Sequence, residues 1–247
     1  MSPRTYLITG ASRSLGLGYA RALLASSPEV KVVAAARNPD KADQLKALAA
    51  EKANDGRVYL LKLDVENAEA VKAAAKELEG SGFLPEGRLD TLINNAGVNE
   101  ALSASASTLT PDNVLANLNT NLFGVINVTT AFLPLLRKEG GLKQVIGISS
   151  MCGSLSGEFG KTPAIPAYCI SKVAVNMYLR KLSRELDSEG FTVLMLHPGY
   201  VKTDMNKGEG EITTEEATTT AVNKVFLALK QEDNGKFLRW NGETEPW

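Results

Sequence analysis

The sequence predicts a doubly wound α/β fold, in which helices cover both faces of a parallel sheet. Short apolar runs alternate with longer segments of helical spacing, and the runs read TYLI, KVVAAA, VYLLKL, LDTLIN, KQVIGIS, FTVLML and KFLRW. Such runs separated by helices form βαβ units. No linker or repeat interrupts this pattern over 247 residues. We therefore expect a single Rossmann-type domain over 1–247, with about seven strands.

Three helix starts carry their own signals. The tripeptide TPD begins at Thr110 and NPD begins at Asn38, and each places a capping residue before a first-turn proline. Thr213 and Glu216 have the spacing of a capping box. We expect helices to begin at these three places.

Composition argues against several classes of function. The formal net charge is -1 and the basic residues are scattered, so we expect no nucleic-acid partner. No apolar run approaches the roughly 18 residues of a membrane helix, and no signal region precedes the first strand, so we expect a cytoplasmic protein without a membrane partner. One histidine and two cysteines are too few for a structural zinc site, so we expect no metal and reduced thiols at Cys152 and Cys169.

Polar and small residues follow the predicted strands. In open α/β sheets ligands bind at the carboxyl ends of the strands, beside the point where the strand order reverses. The residues found there are Thr9-Gly10, Arg37, Asp64-Val65, Asn94-Asn95-Ala96-Gly97, Ser149-Ser150 and His197-Pro198-Gly199. This edge of the sheet is the predicted functional site.

The stretch TGASRSLGLG, from Thr9 to Gly18, is either a phosphate-binding turn or only a glycine-containing loop. The dinucleotide pattern G-x-G-x-x-G can begin only at Gly16, and Arg21 then stands in place of the third glycine. A strand, Gly10 and a helical pattern from Gly16 still place backbone N–H groups and a helix N-terminus where an anion can bind.

Tyr168 and Lys172 are spaced i and i+4, so both lie on one face of a helix. Such a pair alone is usually a solvated surface pair. Beside a buried cofactor, however, the lysine can act on the phenol, whose pKa near 10 must fall by about 3, or about 4 kcal/mol, for ready proton exchange. One cation at about 5 Å, at an effective dielectric of about 20, supplies roughly 3 kcal/mol of this. We expect Lys172 to lower the pKa of Tyr168.

Several motifs occur in a characteristic order. They are Thr9-Gly10-(x)5-Gly16, Asp64, Asn94-Asn95-Ala96-Gly97, Asn121, Ser150, Tyr168-x-x-x-Lys172 and Pro198-Gly199-(x)3-Thr203. With them the chain resembles the short-chain dehydrogenase/reductase family from Thr5 onward. HPGYVKTDM and GKFLRWNGETEPW look most like its sniffer, C-factor and fungal ketoreductase branch.

The resemblance implies catalytic roles for four residues. Tyr168 would donate a proton to the carbonyl oxygen as hydride arrives, and Ser150 would hydrogen-bond the same oxygen. Lys172 would hold the nicotinamide ribose. Asn121 would sit at a helix kink and seat a water that leads to Lys172. Because all four residues are present, we expect the protein to be a working enzyme.

The resemblance also implies the residues that contact a nicotinamide cofactor. Asp64 and Val65 would lie at the adenine edge, and the turn at Pro198 would hold the carboxamide. Taken alone, Asn94–Gly97 could equally be a tight turn after a strand. The full set is Gly10, Ser12, Arg13, Ser14, Leu15, Gly16, Arg37, Asp64, Val65, Asn95, Ala96, Gly97, Tyr168, Lys172, Pro198, Gly199, Val201 and Thr203.

The second strand indicates NADP(H) as the cofactor. An NAD site needs an acid at the end of this strand to bind the ribose 2′-OH. Here Ala36 and Arg37 stand there, and Arg13 lies in the first turn, so two guanidinium groups can bind a 2′-phosphate. The alternative is that both arginines are solvated surface residues.

The glycine stretch fits the reductase pattern T-G-x-x-x-G-x-G with one departure. Gly10 and Gly16 match, whereas Ser14 replaces the middle glycine and its Cβ narrows the backbone conformations available. We expect Ser14 to act as an N-cap, with Leu15 and Gly16 starting the helix, and cofactor binding to survive.

Other notable segments receive plainer interpretations. His197 is expected to be structural, and Ser156–Thr162 is not a P-loop because Leu155 replaces its first glycine. The loop before Tyr168 offers Met151, Leu155 and Phe159 as pocket lining, and residues 203–213 are expected to form a substrate lid. Members of the family commonly pair through their long helices, here those around 111–138 and 166–189, so the resemblance implies a homodimer as the default assembly. The long insertion before Tyr168 could block that packing and leave a monomer.

The expected function is NADPH-dependent reduction of a ketone, an aldehyde or a quinone-like small molecule. One alternative is a sensor that binds NADPH without turnover, for which missing catalytic residues would be the mark. The other is an NAD-dependent alcohol dehydrogenase of the same fold, against which Ala36-Arg37 argues.

Overall fold

The computed structural model describes residues 4–100 and 104–247. Within them the chain forms a seven-stranded sheet in which each neighbouring pair of strands is parallel. The strands are β1 Arg4–Thr9, β2 Val30–Ala36, β3 Val58–Lys62, β4 Thr91–Asn94, β5 Gln144–Ile148, β6 Thr192–His197 and β7 Phe237–Arg239. The α-helices are α1 Ser14–Ser26, α2 Asp43–Ala50, α3 Ala68–Gly80, α4 Pro111–Leu118, α5 Val125–Leu136, α6 Pro166–Glu185 and α7 Thr214–Ala221.

The strand order confirms the predicted doubly wound fold. It runs β3-β2-β1-β4-β5-β6-β7, so the direction of winding reverses between β1 and β4. Ile8 of β1 pairs with Ile93 of β4 at this point. The loops that follow both strands therefore leave the sheet side by side, at the position where such folds bind ligands.

The alternation of side chains along each strand divides the core between the two faces of the sheet. On one face Leu7 packs in a cluster with Phe132 of α5 and Leu179 of α6. On the other face Ile8 belongs to a cluster with Tyr19 of α1. All of these side chains are fully buried. Helices thus cover both faces of the sheet, and the functional site is expected at the carboxyl ends of the strands.

The helix-start signals hold to different degrees. Thr110 and Asn113 form a complete capping box before α4. Thr213 caps α7 by accepting a hydrogen bond from the backbone of Glu216. The NPD signal is only partly right, because Pro39–Lys41 forms a single 3-10 turn and α2 begins later, at Asp43.

None of the helices in the described part of the chain is both long and apolar enough to cross a membrane. Among the same residues no group of three or more His, Cys, Asp or Glu side chains is arranged to hold a metal ion.

Candidate active site

The loop between β1 and α1 is held tightly against the start of the helix. Gly10 has a φ of 67°, a conformation that favours glycine. A Cβ on Gly16 would lie 2.3 Å from the carbonyl oxygen of Gly10 and 2.7 Å from the side-chain nitrogen of Asn95. A side chain at position 16 would therefore push the loop away, so the two glycines permit the close approach that a phosphate cradle requires.

Asn95 and Thr9 join this loop to the loop after β4. The Asn95 side chain donates to the carbonyl oxygen of Thr9 at 2.8 Å. The Thr9 hydroxyl accepts from the backbone N–H groups of Asn95 at 2.9 Å and of Ala96 at 3.0 Å. The NNAG segment is thus more than a tight turn after a strand, because it fixes the glycine loop in place.

The expected role of Ser14 as an N-cap is wrong. Arg13 occupies the capping position, with an extended backbone and without a side-chain capping bond, and α1 begins at Ser14 itself. Ser14 has a φ of 46°, in the left-handed region. The serine therefore stands where the backbone favours glycine, which explains the glycine of the reductase pattern at this position.

The Ser14→Gly substitution is expected to raise the free energy of unfolding by up to about 1 kcal/mol, because a left-handed backbone costs a residue with a Cβ roughly that much. Urea denaturation measures the effect. The matched control is Ser12→Gly in the same loop, where φ is not positive. Ser12→Gly should lose stability instead, and equal effects of both variants would contradict this account.

Lys172 is buried beneath the ring of Tyr168 on the first turns of α6. Its Nζ donates to the carbonyl oxygen of Ile148 at 2.9 Å and lies 5.5 Å from the centre of the Tyr168 ring. Burial lowers the pKa of Lys172 to about 8. A Cβ on Gly97 would lie 3.8 Å from this Nζ, so the lysine also reaches the loop after β4. Lys172 is buried and Tyr168 is half-buried, so the two side chains are not a solvated surface pair.

The expected lowering of the Tyr168 pKa does not occur. Burial raises the pKa of this phenol above its ordinary value, and the Cys152 side chain adds to the rise, while a hydrogen bond with Ser150 opposes it. The prediction weighed the charge of Lys172 and left out the desolvation of the phenol, which dominates here. Tyr168 consequently keeps its proton at neutral pH.

Asn121 lies in a π-helical segment, Asn119–Gly124, that joins α4 to α5. Its side chain accepts from the backbone N–H of Val98 at 2.9 Å and donates to the carbonyl oxygen of Val98 at 2.9 Å. It also donates to the hydroxyl of Ser171 at 2.9 Å. The asparagine thereby connects the loop after β4 to α6, which carries Tyr168 and Lys172.

Asn176 is a positioning residue that the sequence patterns do not reveal. Its side chain accepts from the Ser149 hydroxyl at 2.6 Å and donates to the carbonyl oxygen of Gly153 at 3.1 Å. Only 3% of Asn176 is exposed, so both bonds are desolvated. They hold the segment around Ser150 against α6. The spacing of eight residues from Tyr168 is the only sign in the sequence that Asn176 faces the same side of the helix.

The remaining predicted cofactor residues lie at the same edge of the sheet. Val65, after β3, is nearly buried, and its carbonyl oxygen accepts from Asn127 at 3.1 Å. Gly199, after β6, has a φ of 92°. The other predicted residues lie in the segments that follow the carboxyl ends of the strands. They are Ser12, Leu15, Arg37, Asp64, Ala96, Gly97, Pro198, Val201 and Thr203. Arg37 is exposed directly after β2.

An open cavity of about 630 Å³ lies between the glycine loop and the predicted lid. Arg13, Lys202 and Lys207 bring three cationic side chains to its lining, together with Thr203 and Asp204. Arg13 and Asp204 approach to 3.8 Å, but both are about 70% exposed, so their attraction is weak. The cavity is therefore suited to a polar, anionic ligand.

The predicted lid has a fixed base. Val201 and Ile212 form an isolated parallel bridge, and the Lys202 N–H donates to Ile212 at 3.0 Å. Asn206 donates from its side chain to the carbonyl oxygen of Val201 at 2.8 Å. The segment between these anchors includes Gly208, which has a φ of 83°.

His197 ends β6 and is buried, and its Nδ1 has no hydrogen-bond partner among the described residues. Burial, with the charge of Arg239, lowers the pKa of His197 to about 4. The histidine is therefore neutral at physiological pH. The segment resembling a P-loop forms a 3-10 turn, Phe159–Lys161, rather than the start of a helix.

Comparison with known proteins agrees with this geometry. A model of the short chain dehydrogenase family matches residues 4–213. An uncharacterized oxidoreductase of Schizosaccharomyces pombe is 34% identical, over 99% of this chain and 98% of the relative. The carbonyl reductase Sniffer of D. melanogaster superposes with a TM-score of 0.89 at 29% identity, and an NADPH-bound carbonyl reductase from chicken fatty liver with 0.88 at 30% identity. Both superpositions cover 100% of each chain.

Proposed function

The chain belongs to the short-chain dehydrogenase family of oxidoreductases, and from that premise we propose that it reduces a small carbonyl compound with NADPH. The observation that carries the proposal is the meeting of Ser150, Tyr168 and Lys172 beside the glycine loop, at the carboxyl ends of the strands. Asn121 links this group to the loop after β4. These side chains supply a proton donor, an oxyanion donor and a buried cation in one place.

The residues at the sheet edge fit a dinucleotide cofactor with a 2′-phosphate. Gly10 and Gly16 allow the loop to pack directly on the start of α1, because a Cβ on Gly16 would lie 2.3 Å from the carbonyl oxygen of Gly10. This packing brings backbone N–H groups and the N-terminus of α1 to the place where we propose that a phosphate binds. Arg13 lines the adjacent cavity, and Arg37 occupies the position where an NAD site has an acid. When bound, NADPH supplies the hydride that reduces the carbonyl carbon.

Tyr168 acts as the proton donor in this proposal. Its raised pKa keeps the phenol protonated. The alkoxide that forms on the carbonyl oxygen is a far stronger base than a phenolate, so it takes the proton from the phenol. Ser150 donates a second hydrogen bond to the same oxygen and stabilises its negative charge. Lys172 is the buried cation that offsets the charge left on the phenol oxygen. A protonated phenol favours the reductive direction.

Exposed apolar side chains on the loop before α6 and on the segment after β6 support a class of substrate. Tyr200 and Met205 are each 45% exposed at the approach to the site, and Leu155 on the loop before α6 is 75% exposed. Ligand pockets are lined mostly by apolar and aromatic side chains, and we propose that these three contribute to such a lining. An apolar ketone, aldehyde or quinone-like carbonyl matches them, with residues 203–213 closing over it.

The Gly16→Ala substitution is expected to weaken NADPH binding at least about tenfold, which corresponds to about 1.4 kcal/mol. The new methyl group would meet backbone at 2.3 Å, so the phosphate cradle must open. Nicotinamide fluorescence measures the affinity, and circular dichroism checks the fold. Gly80→Ala is the matched control, because no atom lies within 4 Å of its added Cβ. A folded Gly16→Ala variant with unchanged affinity would show that the loop does not hold the cofactor.

The pH dependence of reduction is expected to follow Lys172. Its pKa of about 8 means that the side chain is a cation at lower pH and neutral at higher pH. The neutral amine no longer stabilises the negative charge on the phenol oxygen. We therefore expect kcat/KM to be level below this pKa and to fall as the pH rises through it, by at most about tenfold for each pH unit.

Cys152 provides the control for this assignment, since a second group near the site also titrates. The pKa of its thiol is lowered, first by a hydrogen bond with Cys169. A Cys152→Ala variant should keep the decline at high pH if Lys172 causes it. Loss of the decline in this variant would assign it to the thiol instead.

The experiment that tests the proposed function follows the absorbance of reduced nicotinamide in the presence of ketones, aldehydes and quinones. We expect carbonyl-dependent oxidation of NADPH, and slower oxidation of NADH. Binding of NADPH without turnover across the panel would favour a sensor. Faster oxidation of alcohols with NAD⁺ would favour an alcohol dehydrogenase.

A further inference from the structure

The segment after β7 folds back along that strand. Residues 243–247 form a short hook, in which Thr244 makes an antiparallel bridge with Leu238. The Glu245 N–H donates to the carbonyl oxygen of Phe237 at 2.9 Å. Because β7 is the last strand in the order of the sheet, the hook lies along an edge that would otherwise present unpaired backbone groups.

A buried ion pair fixes the hook against β7. Only 2% of Glu245 is exposed, and its carboxylate accepts from Nε of Arg239 at 2.6 Å. A carboxylate buried this deeply is costly to leave without its partner. The hook is therefore a firmly held part of the fold.

The Trp247 side chain adds two contacts beyond the ion pair. Its ring centre lies 5.4 Å from that of Phe237, and the guanidinium carbon of Arg180 lies 5.8 Å from the ring. Phe237 is 1% exposed, and Arg180 is fixed by donating to the carbonyl oxygen of Gly235 at 2.6 Å. Trp247 thus rests on one residue of β7 and one of α6, which set the position of its backbone.

The backbone of Trp247 binds the loop before α6. Its carbonyl oxygen accepts from the backbone N–H of Ser156 at 2.9 Å, and the Ser156 hydroxyl donates to the same oxygen. The two residues lie 91 positions apart in the sequence. Covering the edge of β7 accounts for the hook as far as Glu245, but it does not require these two bonds. They show that the hook also holds the loop.

The loop is packed so closely on itself that a shift at Ser156 moves its neighbours. The Ser154 hydroxyl accepts from the N–H of Gly157 at 2.8 Å. A Cβ on Gly160 would lie 2.2 Å from the carbonyl oxygen of Leu155, so these two backbone segments are in direct contact. The position of Leu155, which the sequence predicts as pocket lining, therefore depends on the anchor at Ser156.

The same loop connects the two residues that would touch the carbonyl oxygen, since it begins after Ser150 and ends at the helix that carries Tyr168. We propose that the hook positions this loop over the carbonyl site, and that Trp247 thereby determines selectivity for large apolar carbonyl compounds. A large compound buries apolar surface against the loop, whereas a small one does not reach it. Trp247 is a positioning residue. Selectivity rests on the proposed function, whereas the anchoring of the loop does not.

Hydrogen–deuterium exchange of the full-length protein tests the anchoring without any substrate. In Trp247→Ala the peptide that contains Ser156 should exchange about two- to tenfold faster, which is the range that an aromatic contact supplies. Trp247→Phe retains a ring and should restore slow exchange.

Tyr59→Ala is the matched control for this measurement. Tyr59 contacts Phe83 at the same centre-to-centre distance of 5.4 Å and the same interplanar angle of 42° as Trp247 contacts Phe237. It lies in β3, at the opposite edge of the sheet. This variant should leave exchange in the loop before α6 unchanged. Unchanged exchange in Trp247→Ala, or equal acceleration in Tyr59→Ala, would overturn the anchoring.

Steady-state kinetics with NADPH and two diketones, benzil and diacetyl, test the selectivity. The two compounds share their reacting groups and differ in their phenyl or methyl substituents. In Trp247→Ala we expect KM for benzil to rise about two- to tenfold, while kcat, KM for diacetyl and NADPH affinity stay near the wild-type values. Trp247→Phe should behave as the wild-type enzyme.

Two kinetic outcomes would overturn the selectivity even where exchange becomes faster. One is an unchanged KM for benzil in Trp247→Ala, and the other is an equal change for both diketones. If the wild-type protein reduces neither diketone, the selectivity falls with the proposed function. The exchange rates then still decide whether Trp247 holds the loop, so the two proposals fail separately.

Discussion

Replacement of Tyr168 by phenylalanine is expected to lower kcat/KM for carbonyl reduction by about 10²–10⁴-fold, which is the usual contribution of a positioned proton donor. The substitution removes the hydroxyl and retains the ring that lies over Lys172. NADPH affinity should therefore stay within a few-fold of the wild-type value. Steady-state kinetics with NADPH and a carbonyl substrate measure the loss, and fluorescence titration measures the affinity.

Tyr178→Phe is the matched control, because Tyr178 lies on the same helix and is also partly buried. This variant should reduce the substrate at nearly the wild-type rate. Undiminished turnover in Tyr168→Phe would remove Tyr168 from the chemistry. A loss of equal size in both variants would point to disturbance of α6 instead.

The Arg37→Asp substitution is expected to lower the preference for NADPH over NADH by about tenfold to hundredfold, measured as the ratio of kcat/KM for the two cofactors. A hydrogen bond to a charged group contributes about 1.5–3 kcal/mol, and the variant removes the bond that we propose between Arg37 and the 2′-phosphate. The new carboxylate also stands where an NAD site holds its acid, so NADH should gain.

Arg184→Asp makes the same change of charge at another exposed arginine, in the last turn of α6. It should leave the cofactor ratio unchanged, which separates a local contact from a general effect of net charge. An unchanged ratio in Arg37→Asp would show that Arg37 is a solvated surface residue. In that case Arg13 and the lysines of the cavity would remain as the candidates for phosphate binding.

The fold could be predicted because its signal repeats along the chain. Each strand is a short apolar run, and the helices between them carry capping residues such as Thr110, which the structure confirms. Because the sheet is buried on both faces, each of its strands must consist almost entirely of apolar residues. The place where the strand order reverses, between β1 and β4, then follows from the topology of the fold.

The local chemistry of the site was harder to predict, since it depends on burial. The spacing of Tyr168 and Lys172 shows that they share a helix face, but desolvation decides the pKa of both groups. Ser14 shows the same limit in the backbone. A serine before a helix favours an N-cap, yet here α1 begins one residue earlier than expected, at Ser14 itself, and Ser14 has a positive φ.

The links between segments were not visible in the sequence. Asn176 holds the segment of Ser150 through Ser149 and Gly153, and Thr9 holds Asn95. These contacts join residues from 23 to 86 positions apart. A pattern of spacing within one helix or strand cannot report them, because they arise only when the strands assemble side by side.

The central claim is that this chain moves a hydride from NADPH to a carbonyl carbon. The most direct measurement uses NADPH that carries deuterium at both hydrogen positions of C4 of the nicotinamide ring and analyses the alcohol product by mass spectrometry and NMR. We expect one deuterium on the former carbonyl carbon, and about 10²–10⁴-fold less of this labelled alcohol when Tyr168→Phe replaces the wild-type enzyme over the same time. Alcohol formed without deuterium, or bound NADPH that is never oxidised in the presence of carbonyl substrates, would contradict the claim.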